Sequence, residues 1–486
     1  MGANRIVNPA LDCGELRTTS VGGILWLLTV IFGLSLAQVP SVAWAQLLAI
    51  PPTWGGDIMS RPRLTGDWDG LRDALGKKGV TLDFDMLLTP EGVATGGRNT
   101  GAEFWGNADY TLNVDTGKLG LWPGGFLHVW ADTGFGHNVF HSSGTIVPIN
   151  TAALIPAPND ETAALVNATF TQFLSRKFAV VAGKMGTLDS TTGYFTGNYR
   201  TQFMNTGLAF PMTLIMVPIS AYGGGVIALP TENLVMSAMA LDPSGTPTNN
   251  DIGEAFEDGV LVFANATATI KPFGLFGHQT LGFDWSNKNR LSLIQDPANL
   301  NRALLTQKYP RLANPGPILA GFLQRFFPKL LLPIQPPNSE NNTWAMYYSF
   351  EQYVWQPRHD PKRGLGIFFT FGASDANPNP LQYFYSLGLG GNGIIPGRSD
   401  DNFGIGWALT QFSSNFVPLL RQRLNLGLDS ENAVELYYNA ALTKWLNATV
   451  DLQVVDSGLN RTLDASGHLT DLNTAVVAGL RLYIRL

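Results

Sequence analysis

The chain ends inside a strand pattern. Residues 477–486 (VAGLRLYIRL) place Leu480, Leu482, Ile484 and Leu486 on one face and Arg481, Tyr483 and Arg485 on the other. Chain ends in water usually fray, so alternation carried to the last residue restricts the fold. It suits a sheet that closes on itself. In lipid an open sheet edge leaves backbone donors and acceptors unpaired, so a strand-built membrane protein must join its last strand to its first.

Composition agrees with that reading. Of 486 residues only 14% are charged and 11% are aromatic, 53 are glycine, and the net charge is −6. Outside residues 21–37 no segment is apolar over the ~20 residues of a membrane-spanning helix. Few charges without apolar runs suit strands with one face to lipid and one to a polar lumen. Mild acidity without a clustered basic surface argues against a nucleic-acid partner. The single cysteine, Cys13, precedes the apolar run, so the remainder offers no thiol for a disulfide, a nucleophile or a metal site.

Residues 1–45 read as an export signal. Arg5 and Arg17 precede the apolar core, Pro40 ends it, and Ala43-Trp44-Ala45 before Gln46 is an A-x-A-like cleavage site. The competing reading, a single membrane anchor, is weakened by the shortness of the run. Residues 46–79 form a lead-in with a short helix expected over 67–75, its apolar face formed by Trp68, Leu71 and Leu75. From Val80 the period becomes two, and 80–486 is expected to be an outer-membrane β-barrel.

The period recurs at 107–114 and at 260–270. Short turns are expected at 175–177, 230–233 and 271–274, and longer polar or Pro-rich connections at about 134–163, 243–256, 286–341 and 373–399. Short turns on one rim and long loops on the other are the asymmetry of outer-membrane barrels. The roughly 440 residues after the signal support about 14 to 18 strands. Tandem soluble sandwiches alternate too, and periodicity alone leaves open which face is wet. Residues 286–341 read as short amphipathic helices broken by prolines. They either fold over or into the mouth, or lie on lipopolysaccharide with Arg325 and Lys329 near phosphates.

Ordered motifs then carry a resemblance. They include Leu64-Thr65-Gly66-Asp67-Trp68-Asp69-Gly70-Leu71-Arg72, Lys78-Gly79-Val80 and Ala182-Gly183-Lys184. The run Phe195, Asn198, Gln202-Phe203 and Asn205 follows, then Glu351-Gln352 at the end of an aromatic strand. Gly397-Arg398-Ser399-Asp400-Asp401, Glu435-Leu436-Tyr437-Tyr438-Asn439, Trp445 and Asp451-Leu452-Gln453 complete the series. In order and spacing the chain resembles the carbohydrate-selective porins of the OprB type over nearly all of its length after the signal. It departs at Leu486, where the family has an aromatic, and at Val450 and Ser399, where it has proline. The resemblance implies an all-β, antiparallel up-and-down barrel of about 16 strands through which small carbohydrate solutes diffuse across an outer membrane. Implied surroundings are outer-membrane lipid and lipopolysaccharide, with barrel-assembly machinery acting during insertion. No cofactor is implied, and both a monomer and a trimer stay open.

Selectivity in a wide pore arises at a constriction, where aromatic rings meet sugar C–H faces and polar groups meet hydroxyls. The candidates are Glu103, Trp105, Lys184, Arg200, Gln202, Glu351 and Arg398. Glu103 and Trp105 share a strand face, as do Arg200 and Gln202 if that stretch is extended. Lys184 stands opposite the face of Val181 and Met185. The competing role for each is to brace the wall, and the Arg398 motif also reads as a loop-holding turn. Tyr347, Tyr348, Tyr437, Tyr438 and Trp445 read as interfacial girdle residues. No hydrolase or metalloprotease motif is present and no P-loop, and His128, His137 and His141 lack matching carboxylates, so an enzyme is not expected. A general pore without sugar preference, a secreted β-rich carbohydrate-binding protein or hydrolase, and an energy-coupled receptor are the competing functions. The last would need a plug domain that the ~35 residues before Val80 are too few to form.

Overall fold

The computed structural model describes residues 50–155, 163–188, 193–312, 314–358, 360, 362–415, 425, 427–463 and 468–486. The expected export signal and Cys13 lie outside the described residues. Sixteen antiparallel strands form one closed barrel. The first half runs β1 (Val80–Gly97), β2 (Gly101–Asp115), β3 (Gly125–Gly136), β4 (Ala164–Ser175), β5 (Phe178–Gly186), β6 (Ser220–Thr231), β7 (Leu234–Leu241) and β8 (Leu261–Ile270). The second half runs β9 (Gly277–Ser286), β10 (Thr343–Trp355), β11 (Gly364–Ser374), β12 (Leu381–Asn392), β13 (Asn402–Phe412), β14 (Ser430–Ala441), β15 (Leu446–Asp456) and β16 (Asn473–Arg485).

Each strand pairs with its sequence neighbours, and β16 closes on β1 with Met86 opposite Ile484 and Leu88 opposite Leu482. The alternating tail is thus the closing strand. The amide of Leu486 still donates to the Phe84 carbonyl at 2.8 Å. Register shows which phase faces lipid: Phe84 opposes Tyr110, and both are exposed on the outer face with Leu281, Phe283 and Leu452.

A short helix, α1 (Leu71–Lys77), precedes β1. It starts later than expected because Trp68, Asp69 and Gly70 all have positive φ, which ends helical geometry before residue 71. Leu71 is exposed, and the buried anchor is Arg72 instead. Its guanidinium lies 4.6 Å from the Trp68 ring, bonds Asp83 at 2.9 Å and reaches the Leu486 carbonyl at 3.1 Å. The lead-in therefore ties the chain's closing strand to its first.

The 286–341 connection does contain proline-started helices, α2 (Pro297–Lys308) and α3 (Pro317–Phe326). One loop expectation is corrected. Residues 373–399 hold strand β12, whose glycines at 388, 390 and 391 hide its alternation. The inward excursion of residues 193–217, between β5 and β6, is not foreseen in the sequence, because Phe195, Phe203 and Leu208 look like strand residues yet bury inside the lumen.

Candidate pore and constriction

Residues 193–217 run into the barrel and are held there by charged side chains whose partners are backbone atoms. On β10 the buried Glu351 accepts the N–H groups of Tyr194, of Phe195 at 3.0 Å and of Thr196 at 2.9 Å, and the Thr196 hydroxyl at 3.0 Å. On β14 Glu435 accepts from Met204 and Asn205 at 2.6 and 2.9 Å. On β16 Arg481 donates to the carbonyls of Tyr199 and Gln202 at 2.7 and 2.6 Å. Glu431 treats residues 137–155 alike, taking the amides of Ile146 and Val147 at 2.8 Å each. Hydrogen bonds to charged groups are about twice as strong as neutral ones, and here they convert lumen charge into rigid loop geometry.

Inward-facing glycines make room for this segment. A Cβ at Gly366 or Gly390 would collide with the Phe195 ring, and one at Gly193 would collide with the Glu351 carboxylate. Phe203 packs edge-on against Phe368 and Tyr437, with ring centroids 5.4 and 4.8 Å away. The aromatic and glycine content of the chain therefore serves a lumen core as well as a lipid belt.

Beside the segment, the wall of β8–β12 bounds a cavity of different chemistry. Thr267 opposes Thr280, Thr280 opposes Ser349, Ser349 opposes Thr370, and Thr370 opposes Ser386. Five strands thus present hydroxyls at one level, all lining the same cavity. Thr267 and Thr280 lie 3.0 Å apart, and Thr370 donates to Ser349 at 3.0 Å. One register step to either side stand Tyr347 and His278, and the His278 ring stacks on Tyr194 with centroids 4.2 Å apart. A hydroxyl both donates and accepts, so this wall can exchange partners with water or with another hydroxyl at little cost.

Of the seven expected constriction residues, Arg200, Gln202 and Glu351 come together on or against the inward segment. The 200–202 stretch is a turn rather than a strand. Gln202 bonds the Asn198 amide and the Tyr194 carbonyl at 2.9 and 3.0 Å. Arg200 pairs with Asp109 at 3.1 Å beneath Trp130. Glu103 and Trp105 do share the inward phase of β2. Glu103 is exposed, whereas Trp105 is buried and donates to Asn107 at 2.7 Å. Lys184 is corrected: it opposes Ala168 and Tyr222 on the outer phase of β5, where Val181 and Met185 take the inner one. Its ammonium meets the Pro247 and Asn249 carbonyls at 3.1 and 2.7 Å under the 242–260 loop. Arg398 sits in the β12–β13 turn, on the rim of the short turns, and bonds Asp401 at 2.7 Å. Tyr347 and Tyr437 face inward and are buried, which corrects their reading as girdle residues. The hydroxyl row went unseen because single Ser and Thr residues on separate strands carry no local motif. Only register assembles them.

Residues 100–486 match the family described as carbohydrate-selective porin, OprB family. No curated protein matches the chain. Among solved structures, the high-pH structure of Pseudomonas putida OprB is similar at 20% identity and a TM-score of 0.70, covering 89% of this chain and 100% of that one. The low-pH structure of the same protein aligns at 16% identity and a TM-score of 0.52, over 88% and 99% of the two chains. A match across most of the sequence, a closed barrel and an outer face of exposed apolar residues agree: the chain belongs to the OprB family of carbohydrate-selective porins.

Proposed function

We propose that neutral sugars cross this outer-membrane porin along the hydroxyl wall of β8–β12, beside a constriction set by residues 193–217. The observation that carries this reading is the five-strand row from Thr267 to Ser386. Each neutral hydrogen bond is worth only ~0.5–1.5 kcal/mol net. A sugar can therefore trade water for Thr280, Ser349 and Thr370 without being trapped, which permeation requires. Tyr347 and His278 offer ring faces to its apolar C–H surface. Arg200, Gln202 and Glu351 act at one remove, as positioning residues that set the width beside the row.

Liposome swelling tests the path. Thr280→Val with Thr370→Val is expected to slow glucose entry several-fold relative to a similarly sized charged solute. Equal slowing of both solutes, or of neither, removes the row from the sugar path.

We also infer that the 287–342 loop rests on the phosphorylated glycolipid of the outer leaflet. Residues 297–339 contain five cations (Arg302, Lys308, Arg311, Arg325 and Lys329) and no Asp or Glu, in a chain of net charge −6. Ile318, Phe322, Phe326 and Phe327 are exposed beside them, Ile318 at 90%. Apolar side chains interleaved with cations suit an anionic lipid surface.

A further inference from the structure

The lumen has a second wall that a water-filled sugar path does not explain. Strands β5–β8 turn Val181, Met185, Ile227, Met239 and Phe263 inward. Across from them stand Met212, Leu214 and Ile215 of the inward segment, and together these residues bound a cavity of about 400 Å³. The chamber is apolar on nearly every side, with Ser237, Asn167, Thr169 and Asn265 among its few polar contributors. Apolar surface facing water is unfavourable at about 25 cal/mol per Å², so such a wall suits an apolar occupant. An engineered apolar cavity of ~150 Å³ already holds benzene.

Its position narrows the class of that occupant. Phe210, Pro211 and Asn265 line both this chamber and the hydroxyl-lined cavity. A solute at that junction meets hydroxyls on one side and aliphatic side chains on the other. We propose that the apolar chamber binds the non-sugar part of glycosides: an aryl or short alkyl aglycone lodges against β5–β8 while the attached sugar ring lies on the hydroxyl row. This rests on the sugar path proposed above and extends its substrate class from free sugars to amphiphilic glycosides. A preference for such glycosides needs both walls, because a free sugar gains nothing from the chamber and an apolar ring alone gains nothing from the row.

Block of ionic current through the folded barrel in planar bilayers tests this, with glucose, phenyl β-glucoside and benzyl alcohol as probes. Burying a phenyl ring predicts a half-blocking concentration for phenyl β-glucoside about tenfold below that of glucose. Met239→Gln makes the wall polar and Ile227→Trp fills the chamber. Each is expected to raise the phenyl β-glucoside value to that of glucose and to leave glucose unchanged, with heat-modifiable gel migration reporting that each variant is folded. Equal half-blocking concentrations for glucose and phenyl β-glucoside in the unaltered barrel would overturn the proposal. So would block by benzyl alcohol as strong as block by the glycoside, since the sugar row would then contribute nothing. Block by the glycoside with none by glucose would sink the sugar path itself, and that outcome is distinct from the other two.

Discussion

At the scale of single residues, the charges of this lumen serve the backbone. Glu351 sits 157 residues from Tyr194 in sequence yet gathers the amides of three consecutive residues. In Glu351→Ala those donors lose their acceptor, at ~1–3 kcal/mol for each group that stays dry. The segment is then expected to loosen while the wall of β10, whose own ladder is untouched, stays paired. Single-channel recording should show larger and noisier conductance, and the glucose preference measured by swelling should fall. Conductance and preference both unchanged would remove Glu351 from the constriction. Sequence legibility divides at the same place. Glu351, Arg200 and Gln202 could be picked out as residues too polar for a lipid face, but the partners they hold are main-chain atoms, which carry no side-chain signature. Lys184 misled for the opposite reason. A lysine on a strand of known phase wants water, and near the rim a polar loop meets that need from the outside.

At the scale of elements, strands were legible and the inward segment was not. A strand half in lipid and half in water writes its period on every second residue, and turns such as 232–233 and 271–276 add their own chemistry. The inward segment buries apolar residues with no regular period, so Phe195 and Phe203 look like members of a strand face. On β7 the alternation itself fails: Val235, Met239 and Leu241 face inward while Met236, Ala238 and Ala240 face outward. That break in the sequence marks the apolar chamber. The 287–342 loop had two readings, and its composition favours the lipid surface. Replacing Arg325 and Lys329 with glutamine removes two of its five cations. At about 1 kcal/mol per cation near an anionic surface, binding of the folded protein to lipopolysaccharide-containing vesicles should weaken by roughly tenfold or more, with sugar flux unaltered. Flux that changes while vesicle binding holds would place the loop over the pore instead.

At the scale of the whole molecule, closure and obstruction are separate devices. The hydrogen-bond ladder runs through all sixteen strands and shuts between β1 and β16 without help from residues 193–217. A closed ladder leaves no edge in lipid, so the barrel wall has no need of its contents to remain a barrel. The contents set the bore. Removing residues 194–216 and joining the ends with a short Gly-Ser linker would take away Phe195, Phe203 and Leu208 and expose Glu351, Glu435 and Arg481 to lumen water, where each can be hydrated. The expected product still shows the heat-dependent gel shift of a folded barrel, conducts several-fold more current per channel, and admits charged and neutral solutes of equal size at equal rates. Loss of the gel shift would mean that the inward segment is part of the folding core, and that closure alone does not hold the wall. An intact shift with unchanged conductance would place the narrowest point elsewhere, with residues 137–155, held by Glu431, as the next stretch to shorten.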